Sequence, residues 1–276
     1  MNSLGGKQCI WIVGASSGIG RALALLYAHQ SASNHLIISA RSEDKLQALG
    51  QEIQALGASC SVLPLDVADP NSLKEAETAL AEYAQGIARI VVNAGTCEYM
   101  DSNTPDVEMA RRVVETNYFG AIEISRISLP LLRSARDFGQ KASLVFVASS
   151  VTYQALPRAH AYGASKAALR YYAECLRSDL QLEDINVQVV SPGFVDTPMT
   201  AGNDFDMPFM VTSEEAAEKI AKGIDRGTFD ISFPKGFTWT LKAIALLPTR
   251  LRFALLGKMS RHEPPSKGAF KGSTQS

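Results

Sequence analysis

Short apolar runs alternate with helix-spaced segments along this chain, and that alternation restricts the fold more than any other feature. CIWIV (9–13) is short, partly β-branched and ends at a glycine, as a buried strand does. The apolar spacing then turns helical at Ile19, Ala22, Leu23, Leu26 and Tyr27. HLIIS (35–39) is a second strand, and Leu46, Leu49, Ile53 and Leu56 line a helix over 43–56. CSVLPL (60–65) is a third strand. Asp69-Pro70 opens another helix, with Asp69 as N-cap and proline at its first position. ARIVVNAG (88–95) is a fourth strand with its exit loop, and a long helix is predicted over 106–134. SLVFVASS (143–150), a helix over 160–182, NVQVVSPG (186–193), a helix from Ser213 to Arg226 and FDISF (229–233) complete the pattern.

Strands that alternate with helices need right-handed crossovers, which leave a parallel sheet covered on both faces. The expected class is therefore α/β, a doubly wound Rossmann-type sheet of seven strands. With 46% apolar residues the chain can fill such a core. No Pro- or Gly-rich linker divides it. One catalytic domain over 1–233 is expected, extended by a helical appendage over 234–263, with a disordered tail over 264–276. A net charge of −1 argues against a nucleic-acid surface. The four cysteines form no CxxC pair and read as buried small hydrophobes in a reducing compartment. The histidines show no metal-ligand spacing, so no metal is expected. Neither a secretory signal nor a membrane-length apolar run is visible, and a cytoplasmic location is expected.

VGASSGIGRALAL (13–25) sits where the first strand turns into the first helix. Gly14, Gly18 and Gly20 allow a tight turn and close approach of a ligand. The helix N-terminus then offers unpaired N–H groups to a pyrophosphate. Its GxxxGxG spacing differs from the common dinucleotide fingerprint GxGxxG. At the end of the second strand, where an acid would select NAD by holding the 2′-hydroxyl, Ala40 is followed by Arg41. A guanidinium accepts a 2′-phosphate that a carboxylate would repel, so NADP(H) is the expected cofactor.

AYGASKAAL (161–169) places Tyr162 and Lys166 four apart on one helix face among small residues. A phenol normally titrates near ~10, and bringing it to neutrality takes roughly 4 kcal/mol. One cation about 4 Å away supplies up to ~4 kcal/mol at an effective dielectric of ~20. The pair can therefore move a proton beside a bound cofactor, with Lys166 also able to hold the nicotinamide ribose.

GASSGIG (14–20), LDV (65–67), NAG (93–95), Asn117 in TNYFG, ASS (148–150), YGASK (162–166) and SPGFVDTPM (191–199) occur in one order. Over about residues 7–230 the chain resembles the short-chain dehydrogenase/reductase family. The resemblance implies Tyr162 as general acid/base and Lys166 as its activator. It implies Asn117 as holder of a relay water and a serine on the substrate carbonyl, for which Ser150 matches best and Ser149 is second. It also implies Gly14, Ser16, Ser17, Gly18, Ile19 and Gly20 around the pyrophosphate, Asp66 and Val67 at the adenine, and Asn93, Ala94 and Gly95 beside the cofactor. Pro192, Gly193, Val195 and Thr197 are implied at the nicotinamide amide. Val13 and Val92 stand where the family usually has Thr and Asn, and the loop from Ser150 to Tyr162 is one residue short.

The implied activity is reduction of a carbonyl, a lipophilic ketone or aldehyde, with NADPH. The alternatives are an oxidative alcohol dehydrogenase or a non-catalytic dinucleotide sensor. A substrate pocket is expected from 96–103, 153–160 and 198–212, containing Met100, Tyr153, Leu156, Met199, Phe205, Met207, Phe209 and Met210. The family implies a homodimer or homotetramer through 106–134 and 160–182. Residues 236–261 are apolar, dotted with cations and broken by Pro248. Two short amphipathic helices there could cover the pocket, join subunits or lie on a membrane.

Overall fold

A computed structural model describes residues 8–260; the expected tail over 264–276 and the last residues of the appendage lie outside them. The chain runs β1 (Cys9–Val13), α1 (Gly18–Gln30), β2 (His35–Ser39), α2 (Glu43–Ala55), β3 (Ser59–Val62), α3 (Pro70–Leu80) and β4 (Arg89–Val92). It continues through α4 (Val107–Val114), α5 (Gly120–Asp137), β5 (Ala142–Val147), α6 (His160–Leu180), β6 (Ile185–Pro192), α7 (Ser213–Asp225) and β7 (Asp230–Phe233). The appendage is two helices, α8 (Lys235–Ala245) and α9 (Thr249–Met259).

All seven strands are parallel, in the order β3-β2-β1-β4-β5-β6-β7. Side chains alternate along each strand and both faces are buried. Ile10, Ile12, Leu36 and Ile38 therefore pack with α1, α2 and α7, while Trp11, Val13, Ile37 and Phe146 pack with α3, α5 and α6. This is why CIWIV reads as an unbroken apolar run. The chain leaves β1 in one direction to reach β2 and β3 and in the other from β4 onward. The strand order thus reverses between β1 and β4, and a crevice opens at their carboxyl ends.

Local chemistry explains the boundaries. Asp69 caps α3 by accepting from Asn71 N at 3.0 Å, with Pro70 at the first position as expected. Thr212, not Ser213, caps α7, accepting from Glu215 N at 3.1 Å. β3 closes at Val62 rather than Leu65, because Pro64 has no N–H for the ladder. The chain still follows β2, with Leu63 and Leu65 donating to Ile38 O and Ala40 O. The helix predicted over 106–134 is present but widens over Glu115–Phe119 into a π-helical turn, which carries Asn117. Cys175 is exposed and Cys9, Cys60 and Cys97 are half-buried, so the cysteines are less enclosed than expected.

Candidate active site

The glycine loop is built by close backbone approach. Gly14 has φ of +90°, and a Cβ there would stand 2.6 Å from Ala94 N. Asn93, at the end of β4, donates from Nδ2 to Gly14 O at 2.8 Å and so ties the loop to the neighbouring strand. A Cβ on Gly20 would collide with Gly14 O and with that same Asn93 amide. Ser17 begins α1 without capping it with its side chain, which leaves the first-turn N–H groups available to an anion.

A cavity of about 950 Å³ runs along the carboxyl ends of the strands. Gly14, Ser16, Ser17, Gly18 and Ile19 line it, as do Asp66, Val67, Asn93, Ala94 and Gly95. Pro192, Gly193, Val195 and Thr197 close its far side. Arg41 lies at one end, accompanied by Ser42 and Lys45, which sequence reasoning missed. Lys45 was legible in principle as a second cation four residues after Arg41. Tyr162, Lys166 and Ser149 line the same cavity. Gly20 and Asn117 do not, and act on the site through other residues.

Of the two adjacent serines, the second choice, Ser149, lines the cavity and Ser150 does not. β5 ends in extended backbone, with Ser149 at φ −166° and ψ 154°, and the chain then coils into a short 3-10 turn over Ser150–Thr152. Adjacent extended residues face opposite ways. Ser149 lines the cavity together with Tyr162, whereas Ser150 is buried and does not line it.

Burial is the largest influence on Tyr162 and raises its pKa; the nearby Cys97 also raises it, while the Ser149 hydrogen bond lowers it. The phenol is thus held protonated, and the expected lowering by Lys166 does not prevail. Burial pulls Lys166 down to about 8, partly countered by Cys97. Its ammonium donates to Val147 O at 2.8 Å, which fixes it against β5. Asn117 is fully engaged: Oδ1 accepts from Thr96 N at 2.7 Å, and Nδ2 donates to Thr96 O at 2.8 Å and Ser165 Oγ at 3.0 Å. The amide thereby locks the π-helical turn to α6 and to the strand exit at Thr96. A Cβ on Gly95 would sit 3.0 Å from Asn117 Oδ1 and 3.1 Å from Lys166 Nζ, so any side chain there would crowd both groups.

Beyond Tyr162 the expected pocket residues divide. Met199 lines the cavity, and Met100 packs with Tyr162, Met109 and Val113. Phe209 and Met210 are exposed. Tyr153 turns to the opposite side of its loop, where its hydroxyl donates to Asp230 at 2.7 Å. An aromatic row instead connects Tyr99, Phe205, Phe194 and Phe237, with ring centroids 5.6, 5.9 and 5.2 Å apart. Phe237 belongs to α8, so the appendage supplies one end of this row, none of whose rings is among the cavity's lining residues. Tyr99, Phe194 and Phe237 are far apart in sequence and were not singled out.

The family model for short chain dehydrogenases matches residues 8–207. An uncharacterized oxidoreductase of Myxococcus xanthus is 35% identical over 240 residues, covering 87% of this chain and 89% of its own. The 11-beta-hydroxysteroid dehydrogenase 1A of Arabidopsis thaliana is 30% identical over 260 residues, covering 87% and 72%. A short-chain dehydrogenase of Sphingobium yanoikuyae, solved in complex with NADPH, superimposes with a TM-score of 0.74 at 23% identity, over 96% of this chain and 100% of the other. The chain belongs to the short chain dehydrogenase family. It is an oxidoreductase of the class that acts on CH–OH and C=O groups.

Proposed function

We propose that this enzyme uses NADPH to reduce a lipophilic ketone or aldehyde to an alcohol. The observation that carries the reading is the single cavity with Arg41 and Lys45 at one end and Ser149, Tyr162 and Lys166 at the other. The residues fit the cofactor: glycines admit the backbone to the pyrophosphate, α1 offers its N–H groups, and Arg41 and Lys45, with Ala40 in place of an acid after β2, suit a 2′-phosphate. When bound, the nicotinamide supplies the hydride. The chain's own groups handle the oxygen: Ser149 donates a hydrogen bond to the carbonyl, and Tyr162 gives it a proton. Burial keeps the phenol protonated, so Tyr162 carries the proton that the carbonyl oxygen takes up. Lys166 is proposed to hold the ribose and restore the proton, with Asn117 fixing the π-helical turn beside it.

The aromatic row from Tyr99 to Phe237 supports an apolar substrate. The Arabidopsis relative is named for a hydroxysteroid, a lipophilic alcohol. Assembly of two or four copies through α4, α5 and α6, where Phe119 and Tyr171 stand exposed, belongs to the same reading. Tyr162→Phe tests the reading: NADPH binding, followed by fluorescence titration, is expected to stay within a few-fold, while turnover on a panel of ketones and aldehydes falls about 10²-fold or more. Undiminished turnover would remove Tyr162 from the chemistry. Absence of turnover in the unsubstituted enzyme, with NADPH still bound, would favour a cofactor sensor.

A further inference from the structure

We propose that α8 and α9 form a docking surface for an anionic lipid bilayer. Of the eleven residues of α9, only Leu256 is buried. Leu251, Leu255 and Met259 recur every fourth residue on one face of α9 and are 60%, 38% and 51% exposed, and Leu247, just before the helix, is 37% exposed. Phe253, on the other side of α9, and Trp239 of α8 are exposed as well, at 60% and 66%. So many exposed large apolar side chains on two short helices mark a contact with something other than water.

Charge identifies the partner. The chain as a whole has 27 basic and 28 acidic residues. Residues 235–259 contain Lys235, Lys242, Arg250, Arg252 and Lys258 and no carboxylate, so the rest of the molecule is net acidic. An anionic headgroup layer attracts this end and repels the remainder, which orients the molecule on the surface. A second copy docked through the same face would bring cations against cations, because a two-fold contact repeats one patch on both sides. Trp239 is the residue type favoured at headgroup depth. No helix among the described residues is long and apolar enough to cross a membrane, so the pair lies on the bilayer instead of spanning it.

The surface is joined to the candidate active site. Phe237 of α8 packs on Phe194, and Lys242 of α8 lies 4.2 Å from the Tyr153 ring centroid and 3.4 Å from the Asp230 carboxylate. Docking therefore brings the aromatic row that Phe237 joins toward the apolar phase. The inference does not depend on the reductase reading, and its readout is lipid binding.

The test is co-sedimentation of the full chain with phosphatidylcholine vesicles, with and without phosphatidylserine. The protein is expected to pellet with the anionic vesicles, to be released by salt and to remain in the supernatant with neutral ones. Leu251→Glu with Leu255→Glu should lower the partition coefficient about tenfold or more with an unchanged circular dichroism spectrum, because both side chains are exposed. If that double variant loses its spectrum, Arg250→Gln with Lys258→Gln decides, since it removes charge alone and should lower the binding to anionic vesicles. Three results overturn the proposal: no pelleting with either vesicle, equal pelleting with both, or a lipid-indifferent dimer that Leu251→Glu dissociates.

Discussion

Ser149 and Tyr162 line the same cavity, while the adjacent Ser150 is buried and does not line it. A one-residue difference at the end of β5 thus decides which serine can touch a substrate oxygen. Ser149→Ala is expected to lower kcat about 10²-fold, the usual cost of one donor to a developing oxyanion. Ser150→Ala should stay within a few-fold. Steady-state kinetics on one aldehyde measures both, and the reverse ranking would remove Ser149 from the proposed role.

Arg41 and Lys45 share the cofactor end of the cavity, where Ala40 follows β2 in place of an acid. Arg41→Ala is expected to raise the KM for NADPH about tenfold, a loss of ~1.4 kcal/mol, and to leave the KM for NADH within a factor of two. Lys45→Ala should do the same more weakly. Salt should weaken NADPH binding in the parent more than in the Arg41→Ala,Lys45→Ala variant. Equal effects on the two cofactors would mean that neither cation meets a 2′-phosphate.

Lys166 sits in the fold with its pKa lowered by burial from 10.5 to about 8. Between those two values the unfolded chain binds more protons than the folded one, so stability rises with pH across that window. At neutral pH the buried charge costs about 3 kcal/mol. Lys166→Met is therefore expected to be inactive yet more stable than the parent at pH 7, with the gap shrinking toward pH 10. Thermal denaturation of the cofactor-free protein across this range checks the sign.

Asp230 gathers hydrogen bonds from Tyr153 and Ser191 and charge from Arg170 and Lys242. Burial pushes its carboxyl up, but the Tyr153 hydrogen bond, the Arg170 charge and the Ser191 hydrogen bond outweigh it and hold the pKa below its usual value. A depressed carboxyl contributes stability that is present above its unfolded value, near ~4, and disappears as pH falls through the folded one. Asp230→Asn should cost about 2 kcal/mol at pH 7 and less at pH 3. It also frees the loop between Ser149 and Tyr162 from α8, so kcat should fall with little change in NADPH affinity. Chemical denaturation at the two pH values measures the first effect. A variant as stable as the parent at pH 7 would show that the cluster holds nothing.

The residues themselves determined the strand order class, the glycine turn and the pairing of Tyr162 with Lys166. Each of these is a short-range consequence of periodicity or of spacing along one element. Apolar runs such as CIWIV must bury both faces, and residues four apart on a helix must share one. What tertiary structure alone decided are contacts between distant segments. The turn after Ser149 chose between two adjacent serines, and Asp230 drew Tyr153 out of the expected pocket. The π-helical turn aimed Asn117 at Thr96 and Ser165, and Phe237 arrived from the appendage to complete an aromatic row. Such choices depend on where a side chain finds its hydrogen-bond or packing partner once the sheet has assembled, and spacing along the chain does not encode that.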